Sequence, residues 1–355
     1  MRRLVLAVAF AALAAAGGAQ AFPWPLKPFH SQHPIGGNFG DPRMTFLRTL
    51  AQNGLDGPGV FTFHNGIDIH AAPGTPVYPI FSGTVRLLNG TAVAVQAPGH
   101  PTFQYFHLKL AVHSGQHVVR LRTVLGWITP WARHVHLSEI ANGRALNPLA
   151  PGRISPYSDG TRPRVREVVF RDTRGEPQSP LGLQGRIDIF ADAYDLPVPF
   201  PGFQFGLPIA PAALSWRLTT SSGRVVRPET TPVDFRKSLP PNGQFWRVYG
   251  RGTYPNGPVF GGQLYKRMPG HYLFRMTPDG LDTTRLADGT YVVTVTARDV
   301  RGNRGSLSER FDVLNHPSGQ PKAPLAVPPK DARATPVRLS ATTGRHRWPR
   351  NGPSR

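Results

Sequence analysis

The chain has 355 residues, room for about two domains with proper cores, and its 38 glycines and 39 prolines favour turns and short strands over long helices. It contains no cysteine, which excludes disulfides, thiolate metal sites and cysteine nucleophiles, so any metal must rest on His, Asp or Glu. A formal charge of +21 suits an anionic partner. For an exported chain that means acidic wall polymers or anionic lipid surfaces, with no nucleic acid expected, although solubility and an arginine-rich coding bias explain the charge equally well.

Residues 1–21 read as a signal peptide: Arg2 and Arg3 form a positive start, Leu4 to Ala16 an apolar run too short to span a membrane, and Ala19-Gln20-Ala21 a small-residue cleavage site. No later stretch is apolar enough to cross a bilayer. The mature chain is expected to be exported, periplasmic or extracellular and associated with the cell wall, with its charge reduced to +19 by the loss of two arginines.

Residues 22–152 carry short β-prone runs at Val77–Phe81, Thr84–Leu88, Ala92–Gln96, Phe103–Leu108, Gln116–Val119, Val124–Ile128 and His134–Ile140. Gly74, Gly83, Gly90, Gly99, Gly115 and Gly126 punctuate them, the pattern of an all-β unit. Residues 153–164 read as a linker. Residues 165–315 form a second β unit, with strands expected at Val165–Phe170, Ile187–Ala191, Leu214–Thr219, Tyr272–Met276, Tyr291–Ala297 and Arg310–Val313. Its segment Leu286–Asn303 resembles the end of immunoglobulin-like or fibronectin-like sandwich domains. Residues 316–355 set eight basic residues against Asp331 and read as a basic disordered tail.

Three histidine-bearing segments stand in the first unit: His64-Asn65-Gly66-Ile67-Asp68, Tyr105-Phe106-His107-Leu108 and His134-Val135-His136. On a strand, His134 and His136 face one way. His64 and Asp68 share a side if the segment is extended, and a turn at Asn65-Gly66 brings them closer. A hydrolytic zinc takes three His or carboxylate ligands and leaves one position open. His64, Asp68 and one histidine of the pair meet that count, and the other joins His107 beside the metal. Chance spacing among 13 histidines produces either motif alone more easily than both in order. His70 reads as packing near the site, and His100, His113 and His117 as solvated turn residues. Trp127 and Trp131 read as a substrate wall or, more commonly for an aromatic beside a β-core, as core.

The first unit resembles the lysostaphin/LytM-type zinc metallopeptidase family. Asn38-Phe39-Gly40-Asp41-Pro42-Arg43 is similar to the family's FG-x-R segment, and His64–Asp68 matches H-x-G-x-D. Pro73–Val77 and Gly83–Val85 match the strand pair that follows, and Tyr105–Leu108 matches Y-x-H-L. Gly115–Val118 and Leu125-Gly126 match two turns, and His134–His136 matches H-x-H, for a total of about 110 residues. The resemblance implies an antiparallel, duplicated-hybrid-motif-like sheet followed by a β-sandwich, with Zn2+ held by His64, Asp68 and His136. It implies that His107 and His134 flank the attacking water. It also implies the activity of a zinc metalloendopeptidase that cuts peptide cross-links of bacterial peptidoglycan. Two departures stand out. Thr129-Pro130-Trp131-Ala132-Arg133 replaces the Gly-rich segment before H-x-H, reshaping one wall of the cleft, and Glu139 lies one place later than the family's acid, which in a strand flips its face. The competing readings are a non-catalytic LytM-like domain that binds the wall or regulates other wall hydrolases, and a second unit that is itself a wall-binding or adhesion module.

Overall fold

Alternation of apolar and polar side chains along the longest runs builds strands throughout. The Gly289–Arg298 strand buries every second residue from Tyr291 to Ala297, as a sheet with one face on a core requires. The computed structural model describes residues 21–45, 60–202, 207–256 and 270–316. These described residues fall in one compact unit. The expected signal peptide, but for Ala21, and the expected basic tail from residue 317 onward lie outside the described residues. No helix among the described residues is long and apolar enough to cross a membrane.

The N-terminal half is organised by an antiparallel sheet in the order Ile35–Gly37, Ile67–His70, His134–Ala141, Thr102–Phe106, Ala92–Gln96, Gly83–Asn89 and His117–Val118, with Arg144–Leu146 also paired to His134–Ala141. A second sheet joins Pro76–Val77, Gly126–Ile128 and Leu108–Leu110, and Pro42–Thr45 pairs with Val60–Phe63. The expected run Phe103–Leu108 is divided into two strands, Thr102–Phe106 and Leu108–Leu110, because His107 adopts φ +70° and turns the chain from one sheet to the other. The expected Val77–Phe81 strand is reduced to Pro76–Val77.

In the C-terminal half, one sheet runs Pro177–Gln178, Arg164–Asp172, Arg186–Tyr194 and Leu273–Arg275, with Leu281–Asp282 also on Arg186–Tyr194. The other runs Val225–Asp234, Ala213–Thr220, Gly289–Arg298 and Arg304–Val313. Phe170 of the first meets Phe311 of the second with ring centroids 5.2 Å apart. The chain is thus all-β, its α-helix confined among described residues to Phe245–Val248.

The halves share a core. Phe61 and Phe63 pack against Phe235, Phe245 and Trp246. Tyr249 donates its hydroxyl to the Gly40 carbonyl at 2.7 Å, and the Asn256 amide reaches the Gly36 carbonyl at 3.1 Å. Gly40 combines φ +92° with a position where a Cβ would lie 2.3 Å from the Phe235 ring, so only glycine fits there. These contacts clamp the segment Ile35–Arg43, which borders the candidate site.

Candidate metal centre

Strand register assembles the site. Pairing of Ile67–His70 with His134–Ala141 sets Asp68 opposite His136 and His70 opposite His134, and pairing with Thr102–Phe106 sets Phe106 opposite His136. His64 precedes its strand and is swung inward by Asn65-Gly66. Gly66 passes so close to the central strand that a Cβ would lie 2.3 Å from the Leu137 carbonyl oxygen and 2.8 Å from His136 Nε2.

Three donor atoms converge. His64 Nε2 lies 2.7 Å from His136 Nδ1, and Asp68 Oδ1 lies 3.1 Å from each. The outward contacts fix the tautomers. His64 Nδ1 is 2.7 Å from the Asn38 carbonyl oxygen, which only accepts, so Nδ1 carries the hydrogen and Nε2 presents a lone pair. His136 Nε2 is 2.8 Å from Ser138 Oγ, whose hydroxyl is directed at Asn65 Oδ1 at 3.4 Å. Nε2 therefore donates and Nδ1 presents a lone pair. Two nitrogen lone pairs and a carboxylate oxygen thus face one another with no hydrogen between them, an arrangement that repels itself unless a cation sits among them. A proton is a poor candidate, because burial and then the Arg43 charge push His64 down to about 3. Three small, hard-to-borderline donors with this spacing fit a zinc ion, whose bonds to nitrogen and oxygen run about 2.0–2.2 Å.

The surroundings hold the carboxylate ionised. Burial alone would raise the Asp68 carboxyl, but its polar neighbours bring it well below the ordinary range, and with the ligand imidazoles neutral the standing positive charge beside it is the Arg43 guanidinium. Arg43 Nη2 grips the outward oxygen, Oδ2, at 2.9 Å. Arg43 in turn lies 3.5 Å from Asp41, which is fully buried and accepts the backbone N–H of Ala210 at 2.7 Å and of Asn38 at 2.9 Å. Burial, set against Arg43 and those two hydrogen bonds, leaves Asp41 raised to about 6. The C-terminal half therefore reaches Asp68 through Ala210, Asp41 and Arg43.

His134 and His107 stand on the open side. His134 Nδ1 lies 2.6 Å from the Ala132 carbonyl oxygen, so it carries a hydrogen, and Nε2 lies 3.5 Å from Asp68 Oδ1. The His107 ring packs edge-on against His134 with centroids 4.8 Å apart, and against His136 at 6.3 Å. Burial, then the neighbouring His134 and His136, pull His107 down to about 4, so it is neutral near pH 7. Its positive φ is a sparsely populated conformation for a residue with a Cβ, a strain that clusters at functional positions.

Thr129–Arg133 forms the wall that the sequence places there. Thr129 N–H is held by the His107 carbonyl at 3.0 Å, and Trp131, 66% exposed, sets its indole against His107 at 4.8 Å. Trp131 and the 39% exposed Trp127 are outside the core. Glu139 is fully buried on the opposite face of the strand, paired with Arg153. His70 lies 5.5 Å from His134, ring to ring; His100, His113 and His117 are exposed.

Asn38, Arg43, Asp41, Ser138 and Ala132 are partners of the site beyond those that the sequence motifs name. Arg43 was signalled by the FG-x-R segment. Asn38 and Ala132 act through backbone carbonyls, which no residue type advertises. Two further groups of acidic or histidine side chains lie close together, Glu167–Asp192–His271 and Asp159–Asp195–Asp299, both in or beside the C-terminal half.

No protein-family model matches the chain, and no curated protein matches its sequence. In structure, 28 solved chains are similar. One is from the SpoIIQ–SpoIIIAH pore forming complex, at 19% identity and TM-score 0.28, spanning 37% of this chain and 90% of that one. Another is a zinc-containing peptidase from Vibrio cholerae, at 22% identity and TM-score 0.28, spanning 36% of this chain and 39% of the peptidase. A third is the catalytic domain of the prophage-encoded M23 protein EnpA from Enterococcus faecalis, at 22% identity and TM-score 0.26, spanning 35% of this chain and 95% of that domain.

Proposed function

We propose that this chain is an exported zinc metalloendopeptidase that hydrolyses peptide cross-links of bacterial peptidoglycan. The observation that carries the reading is the meeting of three acceptors without a donor at His64, Asp68 and His136, beside two further imidazoles on the open side. A zinc ion held by those three residues would polarise a scissile carbonyl and lower the pKa of a water to about 7. The chain's own groups do the rest. Asn38 and Ser138 orient the two ligand imidazoles, and Arg43 keeps the Asp68 carboxylate turned towards them. His134, held by Ala132 at Nδ1 with Nε2 turned towards Asp68, can in its neutral form take a proton from the attacking water. His107, neutral and edge-on to His134, is placed to donate to the oxygen that gains charge. The surplus of basic residues suits the acidic polymers of a wall, and the signal-like first 21 residues suit export.

The test is metal content and wall clearing measured on one preparation. The purified chain should hold about one zinc and clear peptidoglycan in a gel overlay, and His64→Ala and Asp68→Ala should lose both. Full clearing by a zinc-free His64→Ala chain would overturn the mechanism. A chain that holds no zinc and clears nothing would favour the regulatory, wall-binding reading.

A further inference from the structure

The central strand does not end at the metal ligands. His134, His136, Ser138 and Ile140 alternate along it and therefore face the same way. Four residues of strand cover about 13 Å, so Ile140 lies that far along the face from His136. There the face opens into a cleft of about 1040 Å3 between the two halves of the chain, at the upper end of the volumes that enclose small ligands. Asn65 stands where the metal centre meets the cleft. It is exposed, lines the cleft, and accepts the Ser138 hydroxyl that in turn orients His136. The far wall is the segment 231–248, stiffened by Pro232, Pro240 and Pro241 and fixed in place by the Phe63 N–H, which Asn242 Oδ1 accepts at 3.2 Å.

The charge of the cleft is one-sided. Arg144 and Arg247 line it, with Arg236 and Lys237 alongside in the same segment. Asp234, the lining acid, is already held by Arg236 at 2.8 Å. Arg247 pairs with Asp279 in a surface bridge that a ligand can displace. Arg144 is exposed and has no ion-pair partner among the described residues.

We infer that this cleft binds an acidic, extended peptide arm of the substrate, about four residues from the bond that is cut. The inference rests on the hydrolase reading for its substrate. An extended peptide advances about 3.3–3.6 Å per residue, so a chain with its scissile bond at His136 reaches Ile140 in about four residues, and Arg144, paired opposite Ala141, stands one strand position further on. The C-terminal half thereby supplies a specificity wall for the N-terminal site.

The experiment uses the full chain carrying His134→Ala, which slows turnover by about 10²–10⁴-fold and leaves the three proposed metal ligands. A fluorescent pentapeptide with two free carboxylates is titrated by anisotropy, beside the same peptide fully amidated. Arg144→Glu and Arg247→Glu should each weaken binding about tenfold or more, the cost of a lost charge-assisted hydrogen bond. Arg144→Lys should bind nearly as the parent does, and the amidated peptide should bind about as weakly as the Glu variants. Zinc content and melting temperature, measured on each variant, confirm that the metal site and fold are intact. Equal binding of the two peptides, or an unchanged affinity in Arg144→Glu, would overturn the inference. Wall clearing by the unsubstituted chain is scored separately. Clearing with binding indifferent to Arg144 removes the cleft alone; no clearing with binding that depends on Arg144 removes the hydrolase and leaves the cleft.

Discussion

At the scale of single residues, the proposed site separates holding a metal from using it. His64, Asp68 and His136 are braced from behind by Asn38, Arg43 and Ser138, whereas His134 and His107 touch the ligands only sideways. His134→Ala and His107→Ala are therefore expected to retain the zinc stoichiometry of the parent chain while hydrolysis falls by about 10²–10⁴-fold, the usual worth of a positioned acid or base. Metal analysis and a turnover assay on the same samples check this, and zinc lost together with activity would make either residue structural. The residue types of the centre were legible in the sequence because histidine and aspartate at these spacings are uncommon together. Their protonation was not. It depends on the carbonyls of Asn38 and Ala132, which any residue could have supplied, and on contacts between segments far apart in the chain.

At the scale of elements, the central strand sorts its side chains by parity. His134, His136 and Ser138 fall on the site's face, and Glu139, shifted by one place, falls on the other, where burial pushes its carboxyl up to about 7 despite Arg153. That flip was legible from the two-residue period alone. The three- and four-residue strands Ile35–Gly37, Pro42–Thr45, Val60–Phe63 and Ile67–His70 were not, because so short a segment has too few residues to show alternation; pairing with a neighbour is what makes each of them a strand. Gly66 shows what such pairing demands. Gly66→Ala would drive a methyl into the Leu137 carbonyl and the His136 ring, forcing the loop away and pulling His64 from its partners. The variant is expected to bind zinc at least about tenfold more weakly, as read by competition with a chelator, and to melt at a lower temperature, since relieving such overpacking costs about 1–3 kcal/mol. Unchanged zinc affinity would mean that the loop can move without carrying His64 along.

At the scale of the whole molecule, the two halves act on each other through groups that look ordinary in the sequence. A buried aspartate, Asp41, ties Ala210 to Arg43 and so to Asp68; nothing in a run of loop residues announces a partner some 170 positions away. In and beside the C-terminal half the fold also gathers Asp159, Asp195 and Asp299, and here burial carries a cost that depends on pH. Burial first, and then the charge of Asp159, raise the Asp195 carboxyl from 3.8 to about 8. The folded chain thus holds a proton on Asp195 that the unfolded chain gives up near the ordinary carboxylate value. Stability from this group is full at low pH and is lost as the pH climbs towards about 8. Asp195→Asn keeps an oxygen for the Leu196 N–H, which the carboxylate accepts at 2.9 Å, and it cannot ionise. The variant should melt with the parent near pH 4 and above it by roughly 2 °C or more at pH 8–9, since about 1 kcal/mol shifts the midpoint by a few degrees in a chain of this size. Melting curves recorded across that range decide the matter: midpoints that converge at low pH and separate at high pH locate the strain at Asp195, and midpoints that run parallel place it elsewhere.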